Sequence, residues 1–211
     1  MVKTTSSSQS RAGSLALVGG ELAFDFANTA SARGSPSRQD HLRSAENVVE
    51  WARHARALGP ADGEWLRLAA AADPVLAAGM LARALDLREN VYAAGAAIAA
   101  GAPAPDTAVE AIARTHAACL ACARLAPFEG RYVWSWSPSE SAIESVLGPI
   151  ALSALATLTQ GDLSRVKQCQ GDRCGWLFFD TSKNRSRRWC EMEVCGNRAK
   201  QRRHSAGIRR A

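Results

Sequence analysis

Apolar residues along the chain follow two spacings, and the switch between them organises the reading. Val48, Val49, Trp51, Ala52 and Ala55 recur at helical intervals, predicting a helix capped by Asp40 or Ser44 and stopped at Gly59-Pro60. A second helix is expected over residues 62–72, with Trp65, Leu66, Leu68 and Ala69 turned inward and Asp73-Pro74 ending it. Pro74 suits the first position of a long helix running through Leu76, Met80, Leu81, Ala84, Leu85, Leu87, Val91 and Tyr92 to about Ala100. Asp106, a capping residue, opens another that carries Val109, Ile112, Ala113, His116, Leu120 and Ala123 on one broad face. At Arg131-Tyr-Val-Trp-Ser-Trp the period becomes two, placing Tyr132, Trp134 and Trp136 on one face of a strand and Val133 on the other. A last body helix is expected over residues 139–158. Nearer the start, residues 15–18 read as a candidate strand, and residues 21–29 as a short helix or strand that periodicity cannot separate.

Composition adds bounds to this pattern. At 211 residues and 47% hydrophobic, the chain can bury a substantial core and carry a small appended unit. The opening MVKTTSSSQSRAGS lacks an apolar centre, so residues 1–14 read as a disordered Ser-rich leader rather than a signal peptide. Apolar stretches break before the roughly 20 residues of a membrane span, and a cytoplasmic location with reduced cysteines is expected. The net charge of +6 is concentrated: residues 161–211 hold 13 Lys+Arg against 5 Asp+Glu, whereas residues 1–160 hold 13 against 15. This divides the chain into a mainly helical body at 15–160, suited to sensing or dimerisation, and a basic module at 161–211 suited to an anionic partner, usually nucleic acid.

Within that module, Cys169, Cys174, Cys190 and Cys195 form two CxxxxC pairs separated by fifteen residues. In a reducing compartment such pairs suit a metal better than disulfides, because thiolates at two tight turns can converge on Zn²⁺. Redox switching and unpaired thiols are the competing readings. Four sulfurs saturate the ion, so one zinc is expected in a structural role, supplying on the order of 10 kcal/mol to a unit too small to fold alone. Residues 176–179 suit a strand, 180–184 a turn and 187–190 a return strand, with a helix from Arg198. The expected fold class is therefore mainly α with a small β component (α+β): a helical N-terminal domain and a C-terminal treble-clef-like four-cysteine finger.

Three stretches carry a family resemblance: Cys174-Gly-Trp-Leu-Phe, Lys183-Asn-Arg-Ser-Arg-Arg-Trp-Cys190 and Cys195-Gly-Asn-Arg-Ala-Lys200, joined near the start by Leu22-Ala-Phe-Asp-Phe-Ala-Asn28-Thr. With these the chain resembles the bacterial CGNR zinc finger family with an N-terminal ABATE domain. The resemblance covers nearly the whole chain, more loosely in the helical middle. It implies a stress-induced transcription regulator and gives the four cysteines the ligand role.

Lys183, Arg185, Arg187, Arg188, Asn197, Arg198, Lys200, Arg202 and Arg203 surround the cysteines and are the candidate nucleic-acid contacts, since guanidinium forks match phosphate oxygens and base edges. Arg209 and Arg210 are expected to be solvated, and Trp176 and Trp189 to pack in the finger core rather than stack on bases. His116, Cys119 and Cys122 have metal-like spacing but no fourth ligand, so they read as helix core. Asp25 and Asn28, with Arg88, form either an effector pocket or a satisfied structural network, and the second reading is favoured. No phosphate loop, nucleophile elbow or HExxH motif supports catalysis, and a non-enzyme is expected. The leading expectation is a DNA-binding regulator, with an effector and a homodimer as further candidates. The alternative is a zinc-dependent module for RNA or an acidic protein.

Overall fold

The computed structural model describes residues 10–208. Leader residues 1–9, Arg209, Arg210 and the Arg203 side chain lie outside the described residues. The elements are α1 (Leu22–Ala27), β1 (Ala30–Ser31), β2 (Gln39–Asp40), α2 (Ala45–His54), α3 (Pro60–Ala72), α4 (Pro74–Ala99), α5 (Asp106–Ala121), β3 (Arg124–Phe128), β4 (Arg131–Ser135), α6 (Ala142–Gln160), β5 (Val166–Gln168), β6 (Leu177–Phe179) and α7 (Asn197–Ile208). The strands pair antiparallel as three separate ribbons, β1–β2, β3–β4 and β5–β6. The chain is thus mainly α with a small β component.

Helix α4 is the axis of the body, and α1, α2, α3, α5 and α6 all pack on it. Asp73 caps it by accepting from the Val75 and Leu76 amides at 2.8 and 3.0 Å, and Pro74 fills the first position. Met80, Ala84, Leu87, Val91 and Ala94 are buried along its length. The cap of α2 is Ser44, whose hydroxyl accepts from the Asn47 amide, while Asp40 is engaged elsewhere by Arg88. In α3 the inward face is Gly63, Leu66 and Ala70, whereas Trp65 and Leu68 are 43% and 55% exposed, contrary to expectation. A helix at the edge of the body buries a narrow stripe at three- and four-residue intervals, and the choice among neighbouring apolar residues was tertiary. Similarly, α5 buries Ala108, Ile112 and Cys119, leaving Val109 and Ala113 exposed, and Asp106 lies in its first turn behind a Pro105 cap.

Three corrections fall on connecting segments. The end of the expected leader is ordered: Ala12–Ser14 form a 3₁₀ turn with Ala12 buried against α2. Residues 15–18 form no strand, and two of their carbonyls bond side chains: Leu15 O to His54 and Val18 O to Arg187. The sequence pattern did not reveal β3, whose Pro127 interrupts the strand signal. Glu129 and Gly130, both at positive φ (48° and 77°), make the two-residue turn that pairs β3 with β4. Tyr132 and Trp134 face solvent on β4, but Trp136 turns inward, donates to the Cys119 carbonyl at 2.7 Å, and fills the space where a Cβ at Gly148 would stand 2.4 Å from its ring.

Helix α6 is long and apolar enough to cross a membrane by composition, yet it buries Val146, Leu147, Ile150, Ala151 and Ala154 in the core against α1 and α5. It begins at Ala142 rather than 139, after a turn in which the Ser141 amide bonds Ser137 O.

Candidate metal centre and basic surface

The four predicted ligands converge. Cys169 and Cys174 lie in the turn between β5 and β6, Cys190 closes the irregular segment after β6, and Cys195 lies in a single wide helical turn (Met192–Gly196) that opens α7. Their sulfurs all fall within 4.8 Å of one another, with Cys174–Cys190 and Cys190–Cys195 at 3.7 Å. Sulfurs at the corners of a tetrahedron with ~2.3 Å bonds to zinc stand about 3.8 Å apart, so the cluster has the size the ion requires. Three of the four are buried and Cys174 is partly so, which closes the site to solvent.

Local backbone geometry makes this convergence possible. Gly171 has no room for a side chain: a Cβ there would lie 2.9 Å from the Cys195 sulfur. Gly175, at φ 70°, takes the left-handed turn after Cys174. The Gly171 and Cys190 amides both donate to the Cys169 sulfur at 3.3 Å, the usual support for a thiolate. Crowding makes the thiols electrostatically unequal. The Cys169 thiol, accepting S–H bonds from Cys174 and Cys190, is held far below the usual thiol range, whereas the bonds of Cys190 to Cys169 and Cys174, with burial, push its thiol far up. A divalent cation relieves the conflict by binding all four as thiolates. The donor set, spacing and closure fit one structural zinc.

The hairpin around this centre differs from expectation. Leu177–Phe179 pairs upstream with Val166–Gln168, not with residues 187–190, which form no strand. Strand β6 serves two cores by alternation: Leu177 packs into the helical core and Phe178 into the finger with Cys169, Cys190 and Cys195. The downstream segment is held instead by Asp180. This fully buried carboxylate accepts from Lys167 Nζ (2.6 Å), the Ser182 amide (2.9 Å) and the Arg187 amide (3.0 Å). Burial alone would push its carboxyl up, but the Lys167 ammonium and the Ser182 and Arg187 donors hold it well below the usual carboxylate range. Sequence reasoning did not single out Asp180 and Lys167 as organising residues, although Asp180-Thr-Ser is a sequence suited to a side-chain-closed turn.

The predicted nucleic-acid contacts divide into classes. Arg187 is structural: its guanidinium donates to the Val18, Trp189 and Cys190 carbonyls and lies 4.2 Å over the Phe178 ring. Arg185 pairs with Asp162 at 3.0 Å, Arg202 with Asp172, and Arg188 donates to Gln170. Asn197 turns back onto Glu193 O. Lys183, Arg198 and Lys200 are exposed and have no acidic partner among the described residues. Arg198 and Arg202, one turn apart on α7, line a 520 Å³ groove against Gly171 and Asp172, directly beside Cys195.

Asp25, Asn28 and Arg88 face three separate tasks. Both amide atoms of Asn28 bond the Leu177 backbone at 2.8 Å, Asp25 accepts from the Gly19 amide at 2.7 Å, and Arg88 forks onto Asp40 at 2.6 and 2.7 Å. Each is thereby occupied in holding the fold. Cys119 is buried in the core while Cys122 is exposed, and neither joins a metal-sized cluster among the described residues.

Residues 165–207 match the family model described as CGNR zinc finger, and residues 20–161 match ABATE, described as "Putative stress-induced transcription regulator". No curated protein matches the chain.

Proposed function

The chain belongs to the ABATE family, with a CGNR zinc finger behind the family domain, and from that premise we propose that it is a DNA-binding transcription regulator whose finger contacts the duplex. The observation that carries the reading is the set of exposed cations without an acidic partner among the described residues, Lys183, Arg198 and Lys200, on a scaffold that the zinc fixes. A fixed scaffold limits the entropy lost on docking, and counterion release supplies the affinity. Arg202 and Arg185 join when phosphates replace Asp172 and Asp162 as their partners. The helical body is the regulatory part, and its attachment to the finger through Asn28 and Leu177 gives an effector or a second subunit a route to the basic surface.

Fluorescence anisotropy of the zinc-loaded chain on labelled duplex DNA, repeated across salt concentrations, tests this. Affinity is expected to fall on a log-log plot, and Arg198→Ala with Lys200→Ala should flatten the slope by roughly 0.9 for each phosphate no longer neutralised. Binding that ignores salt, or a variant with an unchanged slope, overturns the reading. Preference for single-stranded RNA would move it to the RNA-module alternative.

A further inference from the structure

The ribbon of β3 and β4 stands apart from the rest of the fold, touching the other elements only sparsely. Its cross-strand pairs Leu125↔Trp134 and Pro127↔Tyr132 put four apolar side chains on one face. That face is open: Leu125 is 56%, Tyr132 71% and Trp134 40% exposed. In a two-residue turn of this kind the flanking pair, Phe128 and Arg131, exchanges both hydrogen bonds. Alternation then points the N–H and C=O groups of Tyr132 and Trp134 away from β3, along an edge that no other strand covers among the described residues. The opposite edge is blunted, because Pro127, which faces outward there, has no N–H.

We propose that β4 pairs with β4 of a second copy of this chain, antiparallel about a two-fold axis at Val133, to give a four-stranded sheet. Among the registers whose phase fits the free edge, this one uses both outward-pointing residues of each β4, whereas a two-fold at Tyr132 or Trp134 would use one. Tyr132 of one copy meets Trp134 of the other, so the two outward-pointing residues of each strand exchange their hydrogen bonds as the narrow pair requires. The apolar faces then become continuous in rows of Leu125, Trp134, Tyr132 and Pro127, the last two from the second copy. Charge agrees with the pairing. Arg131 falls opposite Ser135 rather than another cation, on the row where Arg124 already pairs with Glu140 at 2.9 Å. A mixed partner would have to match the same edge polarity and the same aromatic register, which a second copy does by symmetry.

Sedimentation of the zinc-loaded chain over a concentration series should show a monomer–dimer equilibrium. Tyr132→Pro deletes an N–H that β3 does not use and should weaken dimerisation by about tenfold or more. Trp134→Lys, which leaves the backbone ladder intact, should do the same and guards against a collapsed hairpin in the proline variant. Val133→Cys in a Cys122→Ser background should form a disulfide-linked dimer on mild oxidation, since facing residues of that pair type have Cα atoms about 4.5 Å apart. Ser135→Cys should not. A chain that stays monomeric, a dimer indifferent to both β4 variants, or equal crosslinking at 133 and 135 overturns the proposal, whatever the finger binds.

Discussion

Asp25 shows how one side chain can set a pH response. It accepts from the Gly19 amide, yet burial outweighs that bond and pushes its carboxyl up to about 6. A carboxyl raised above its unfolded value of about 4 holds its proton more tightly in the folded chain. Its contribution therefore favours folding below about pH 4 and is lost as pH rises through about 6. Asp25→Asn keeps the acceptor for Gly19 and removes the titration. The stability of this variant relative to the parent should climb between pH 4 and 6 and then level off, by about 2 kcal/mol, since part of the carboxyl still meets water. Denaturant titrations at fixed pH read this directly, and a flat difference would mean that folding does not shift the titration of Asp25. Asn28, three residues on, is sensitive for a different reason. Asn28→Ala strands the buried N–H and C=O of Leu177 and should cost about 2–4 kcal/mol in the same titrations.

At the scale of elements, what was legible in the sequence depended on whether a pattern was local. The α4 helix, its Pro74 start and the Asp73-Pro74 signal that stops α3 before it are all encoded within a few residues, and the structure has them in place. The four cysteines were legible because metal spacing is itself a local signal, and their sulfurs meet. Strand pairing was not: Trp176-Leu-Phe-Phe reads as half of a hairpin, but nothing within it says whether the partner lies before or after. The decision came from Leu177, which enters the helical core, and Asp180, which occupies the Arg187 amide that a downstream ladder would have used. The role of Arg187 is hidden by the same gap, since a cation among cations looks like a phosphate contact until Val18, distant in sequence, takes up its guanidinium. Arg187→Ala is accordingly expected to destabilise the finger by about 2–4 kcal/mol through the stranded carbonyls, while leaving the salt slope of nucleic-acid binding unchanged. A lower slope without a drop in stability would return Arg187 to the contact surface.

For the whole molecule, the boundary drawn by charge near residue 161 is not a mechanical boundary. Strand β5 packs on α4 and β6 on α1; the Arg33 amide bonds the Cys174 carbonyl, and Trp176 Nε1 bonds Ala30 O at 3.2 Å. The ribbon that carries Cys169 and Cys174 is therefore a wall of the helical core as well as a zinc knuckle. Freed of metal, four crowded thiols lose the cation that reconciles them, and the turn between β5 and β6 loses its closure. The disturbance should pass through Leu177 and Asn28 into α1 and the middle of α4, instead of stopping at the finger. Amide exchange on the chelated chain, or on Cys190→Ser, is expected to show reduced protection in residues 22–28 and 87–95 as well as in 166–196. The α2–α3 side of the body, which does not pack on β5 or β6, should keep most of its protection and serves as the internal reference. Loss confined to residues 166–208 would instead show a finger that unfolds independently, and a regulatory signal would then need a path other than this shared wall.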